Sequence, residues 1–197
     1  MSAQLVLTYA EIQFLLRSYE PEHVAVREQL GLPDGPDAER NAAAGLASLL
    51  ARGLCARDAD RVVPSNELVG VIGALSAATR GTDVLGRRAG GPVLLHLFTG
   101  PRFGIAVQPV GLGQYAVTPL DPARDLSDQV VGFVDACLAG TRDTAVVVRS
   151  GVVRAAVATS ATGEWYISDS VNNPNQGHPC TPADAAARIR AVLAVPV

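Results

Sequence analysis

From Pro92 to Pro119 the chain reads PVLLHLFTGPRFGIAVQPVGLGQYAVTP, and how this stretch is read decides the fold. Before it, apolar residues recur at helical spacing; within it they gather into short runs of strand length. Val93–Phe98, Phe103–Gln108 and Gln114–Pro119 form three such runs, separated by Thr99-Gly100-Pro101-Arg102 and Val110-Gly111-Leu112-Gly113. Short glycine-bearing connections of this kind join antiparallel neighbours. A helix is then predicted from Ser127 to Leu138, with Val130, Val131, Val134 and Leu138 on one face and Gly140 at its end.

The same order returns further on. Ala145–Arg149, Val152–Ser160 and Glu164–Asp169 read as three more strands, and a polar loop from Ser170 to Cys180 leads into a helix over Thr181 to Ala194. Thr181 stands at its N-cap, Pro182 at the first helical position and Asp184 two residues on. Two βββα repeats predict a central antiparallel six-stranded sheet with helices packed on it. No strand is followed by a regular crossover helix, so the class is α+β and not α/β.

Upstream the chain is helical. Thr8 and Glu11 have the spacing of a capping box, opening a helix that runs to Tyr19. A short helix over Glu22–Leu30 follows, then a longer one from Asp37 to Arg52 with Gly53 at its C-terminal stop. Leu54 to Val63 reads as a short connection or a hairpin around Asp58-Ala59-Asp60, and Ser65 caps a helix running to Thr79. The expected organisation is a helical, winged-helix-like part over residues 1–90 and a repeated part over 91–197, packed as one compact domain.

Composition narrows the function. Of 197 residues, 48% are hydrophobic and 18% charged, the net charge is -3, and all 16 basic residues are arginine. Such a chain is not disordered, and its charge balance argues against nucleic-acid binding. Arginine without lysine, beside abundant alanine, valine and glycine, points to a GC-rich genome. No apolar run approaches the ~20 residues that span a bilayer, and Met1–Leu16 lacks the basic start of a signal peptide. Cys55, Cys137 and Cys180 form no CxxC pair, which fits a reducing cytoplasm better than a disulfide framework or a zinc site.

Catalytic motifs are sparse. The chain contains no GxSxG and no P-loop, and Gly111 and Gly113 precede no helix, so no cofactor or metal is expected. The polar loop supplies the binding candidates Asn172, Asn173, Asn175, Gln176 and His178, although its composition is also that of a turn leading to a helix cap. His178 with Cys180 leaves open a small enzyme built on a thiol–imidazole pair. His96, between Leu95 and Leu97, reads as a half-exposed strand residue, and Trp165 and Tyr166 as aromatics on opposite faces, one in the core and the other exposed or in an interface. The helix–ribbon–helix order leaves open a winged-helix regulator with a C-terminal sensing domain. Against it, Ser65–Thr79 carries no arginine, lysine or glutamine for base readout; Arg80, Arg87 and Arg88 only follow it.

Three features belong together: Leu7-Thr8-Tyr9-Ala10-Glu11-Ile12 opening a helix, Leu46-Ala47-Ser48-Leu49-Leu50-Ala51-Arg52-Gly53-Leu54 closing another, and the acidic turn Asp58–Asp60. With the apolar helix and strand-rich half that follow, this pattern resembles the EspG family of actinobacterial type VII (ESX) secretion-associated proteins. The resemblance covers roughly residues 5 to 140 by element order. It implies two related α+β halves around a central sheet, and a non-enzymatic, cytoplasmic, chaperone-like protein that binds helical secretion substrates. No partner-binding residue transfers with it.

Overall fold

The computed structural model describes residues 4–19, 24–32, 35–88, 91–100, 104–139, 141–168 and 177–195. They form two compact units, one of residues 1–81 and 98–120, the other of 82–97 and 121–197.

The first unit begins with strand β1 (Leu5–Thr8) running directly into helix α1 (Tyr9–Tyr19). The switch is made by the expected capping box. The Thr8 N–H donates to Glu11 Oε2 at 2.7 Å, and the Glu11 N–H donates to Thr8 Oγ1 at 3.2 Å. Helices α2 (Val24–Gln29) and α3 (Pro36–Ala51) follow. After α3, Gly53 is left-handed at φ 68°, its N–H donates to Leu50 O, and the Leu54 N–H donates to Leu49 O. This satisfies the last carbonyls, as a C′ glycine should. Helices α1 and α3 pack closely because position 45 is glycine: a Cβ there would run into the carbonyl of Ala10.

Strands β2 (Cys55–Asp58) and β3 (Arg61–Pro64) form a separate hairpin, and α4 (Asn66–Ser76) is capped by Ser65. Strands β6 (Gly104–Gly111) and β7 (Gln114–Pro119) complete the unit, with β1 antiparallel to β7. Its core is one apolar cluster around Leu7, Leu15, Leu49, Leu68, Phe98 and Val107.

The second unit contains β4 (Arg80–Arg88, from Thr82), most of β5 (Gly91–Thr99), and helix α5 (Leu126–Leu138). Strands β8 (Thr144–Ser150), β9 (Val153–Thr159), β10 (Trp165–Ser168) and β11 (His178–Cys180) then lead to α6 (Pro182–Ala194). Antiparallel registers place Val148 opposite Ala155 and Val146 opposite Val157, with Val84 opposite Val148. Helices α5 and α6 pack on each other and on β8. Val146 and Cys137 of α5 both stand beside Gly86, which identifies this as the helix-covered face. A full capping box holds the start of α6, Thr181 and Asp184 each bonding the other's backbone N–H.

The expected six-stranded sheet needs correction. Nine strands share one sheet, in the order β1-β7-β6-β5-β4-β8-β9-β10-β11. Four strands precede each of α5 and α6, so the βββα repeat count also fails. The strands absent from the sequence reading are β1, β4 and β11. Four residues of β1 abut a helix. In β4, the run RGTDVLGRR has only two apolar side chains, and one of its buried positions is an aspartate. β11 has three residues, one of them proline. None presents enough alternation to register.

Both outer strands are blunted against further pairing. The Arg52 guanidinium donates to the carbonyl of Val6 in β1 at 2.8 Å, and Pro179 interrupts β11.

Candidate functional site

The registers of the second unit divide its side chains cleanly. On the face away from α5 and α6, Leu85 of β4, Val147 of β8 and Ala156 of β9 lie side by side, with Ala145 and Ala158 in the next row. Leu85 is exposed, Val147, Ala145 and Ala158 are half-buried and Ala156 is buried, so the accessible apolar groups of this face are Leu85 and Val147 with the two alanines of the next row. Arg149 and Arg154, paired across β8 and β9, border it on one side.

On the other side the surface dips into an open depression of about 420 Å³, lined by Asp143, Thr144, Ala145, Ala158, Thr159 and Tyr166. The Thr144 hydroxyl donates to the carbonyl of Arg142 and the Thr159 hydroxyl to that of Thr141. The Tyr166 hydroxyl donates to Glu164 Oε2 at 3.2 Å. The Glu164 charge and that hydrogen bond both push the Tyr166 phenol above its ordinary value, so it stays neutral.

Beneath one corner lies a polar cluster that the sequence reading missed. Asp83 and His96 are buried at 5% exposure each, and His96 Nδ1 lies 2.8 Å from Asp83 Oδ1. The second carboxylate oxygen accepts from Nε and Nη2 of Arg149. A carboxylate can only accept, so the imidazole donates through Nδ1. The expectation of a half-exposed His96 is therefore wrong: Asp83 supplies the partner that makes burial tolerable. The available signal was one aspartate inside Thr82-Asp83-Val84-Leu85, which by itself reads as surface. Its bonds join three strands, which gives the cluster the character of a buried structural tie.

Of the sequence-derived candidates, Asn172, Asn173, Asn175 and Gln176 lie outside the described residues. His178 is exposed in β11, opposite Ile167. Cys180 sits on the same strand opposite Trp165. Burial, followed by the charge of Asp184, raises the Cys180 thiol above its ordinary value, the reverse of an activated thiolate. Trp165 and Tyr166 do lie on opposite faces, but neither is fully buried in the core as expected of one of them: both are half-buried. Among the described residues, no group of three His, Cys, Asp or Glu side chains is placed to hold a metal ion. No described helix is long and apolar enough to cross a membrane. Arg80, Arg87 and Arg88 all belong to β4, and Arg87 is exposed.

The described residues thus form an α+β protein with a nine-stranded sheet and with α5 and α6 on one face of its second unit. No protein-family model matches this chain, and no curated protein does either. The fold itself has a solved counterpart, the Mycobacterium tuberculosis type VII secretion system chaperone EspG5, determined in complex with the PE25-PPE41 dimer. The match has a TM-score of 0.66 and covers 97% of this chain and 96% of that one, at 11% sequence identity. At that identity the likeness is one of fold. The EspG-like resemblance read from element order therefore extends over nearly the whole chain.

Proposed function

We propose that this protein is a non-enzymatic, cytoplasmic, chaperone-like binding protein of an actinobacterial type VII secretion system, taking a helical secretion substrate as its partner. The single observation that supports this most is the end-to-end fold match to EspG5, a chaperone seen with a PE-PPE dimer. Leu85 and Val147, bordered by arginines, give an apolar surface suited to covering apolar helical residues. The loop residues Asn172, Asn173, Asn175, Gln176 and His178 are further candidates for contact with the partner, by the composition of their segment.

The test is affinity purification of the tagged chain from its own type VII-bearing cell, followed by mass spectrometry and reconstitution. Recovery of a PE-PPE-type dimer that re-forms a stoichiometric complex with the purified chain is the expected result. Recovery of unrelated proteins, with no secretion substrate among them, would sink the reading. Alanine at His178 and Asn173 together is expected to weaken the reconstituted complex several-fold, and unchanged affinity removes the loop from the contact.

A further inference from the structure

The β6–β7 hairpin of the first unit turns at Leu112-Gly113, with φ of 50° and 71°. Positive φ at both central residues defines a type I′ turn, for which Asn-Gly is the favoured pair because asparagine tolerates that conformation. Leucine does not, since its Cβ crowds the following carbonyl. The leucine is also fully exposed, at 103% of its reference area. Two unfavourable choices thus coincide at one residue.

Two further features act at the same tip. The register shifts between Pro109 and Gly111, a bulge that leaves Val110 outside the ladder and 52% exposed. Bulges re-aim side chains, and this one adds a second apolar group beside the first. The tip is tethered as well: the Tyr9 N–H, at the start of α1, donates to the carbonyl of Gly113 at 2.7 Å. Leu112 is therefore presented from a fixed base.

We infer that the β6–β7 tip is an apolar anchor, with Leu112, supported by Val110, seating in an uncharged apolar notch on the protein partner. The inference rests on the reading proposed above and extends it to a named contact. Charge decides the kind of surface the anchor meets. From Gly104 to Leu120 the chain has no charged side chain, so the tip enters an apolar notch without stranding an ion. A bilayer is the poorer match, because peripheral membrane binding draws on a broad apolar face or on flanking lysine and arginine.

The substitution Leu112→Asn separates anchor from turn. Asn-Gly suits the turn better, so the variant is expected to fold and to melt about 2 °C higher. Its affinity for the recombinant PE-PPE-type dimer identified by the purification above, measured by calorimetry, is expected to fall about tenfold or more, as loss of one buried leucine implies. Leu112→Met keeps the apolar reach and is expected to stay within about threefold of the parent. Unchanged affinity in Leu112→Asn overturns the anchor and leaves the proposed function standing. A parent chain that binds no such dimer overturns the proposed function and the anchor with it. Leu112-dependent sedimentation with phosphatidylcholine vesicles assigns the tip to a lipid surface and overturns the protein notch.

Discussion

Each unit buries a carboxylate and holds it with an arginine from another element, yet the two arrangements are built differently. In the first, Glu11 is fully buried and takes hydrogen bonds from the Thr8 backbone, Ser48 and Arg52, each at 2.7–2.8 Å. In the second, Asp83 is held by His96 and Arg149 from two other strands. Glu11 begins as a local motif three residues from its cap, and long-range partners are added to it. Asp83 has no local partner among these bonds. A carboxylate that also ends a helix is tied to a secondary-structure element. One placed mid-strand is tied to the register of a sheet.

The difference can be broken experimentally. Glu11→Ala removes the capping box and the acceptor of Arg52 together, and is expected to cost about 3–4 kcal/mol in urea unfolding followed by circular dichroism. A loss below about 1 kcal/mol would mean that water satisfies Ser48 and Arg52, making the arrangement ornamental. Asp83→Ala is expected to cost less, about 2 kcal/mol, because Arg149 is 58% exposed and can turn to solvent while His96 loses its acceptor. Trp165, the single tryptophan, lies in the same unit and reports this transition by fluorescence.

Capping chemistry sharpens the contrast at smaller scale. Thr181→Ala deletes one side of the α6 box and is expected to cost about 1 kcal/mol, with Trp165 emission as the readout. The pH dependence of that box has a defined sign. Asp184 is held below the ordinary carboxylate range by the Thr181 side-chain and backbone hydrogen bonds. With the folded value depressed, its stabilisation is complete above about pH 4 and disappears as pH falls through the folded value. The urea midpoint of the parent is expected to drop between about pH 4 and pH 2.5 more steeply than that of Asp184→Asn. Parallel profiles would remove Asp184 from the acid response.

How much was legible follows the same division. All six helices are readable from caps, glycine stops and apolar spacing: Thr8/Glu11, Gly53, Ser65 and Thr181/Asp184 each do locally what their residue type suggests. Six strands with continuous apolar runs are readable too. Strand β4 is not, because its buried aspartate is held by His96 and Arg149, 13 and 66 residues away. The candidate site divides in the same manner. His178 was named from loop composition and is exposed in β11, whereas the accessible apolar pair of Leu85 and Val147 exists only once two strands take register. Leu112 was visible merely as a residue between two glycines.

By itself the sequence determined the α+β class, the places where helices begin and end, and the absence of the common catalytic motifs. Those properties rest on interactions within about four residues, or on plain composition. The tertiary structure alone decided the nine-strand order, the burial of Asp83 with His96, and which apolar side chains are left facing outward. Those depend on register, where a shift of one residue exchanges the two faces of a strand, and no local interaction in the chain selects between them.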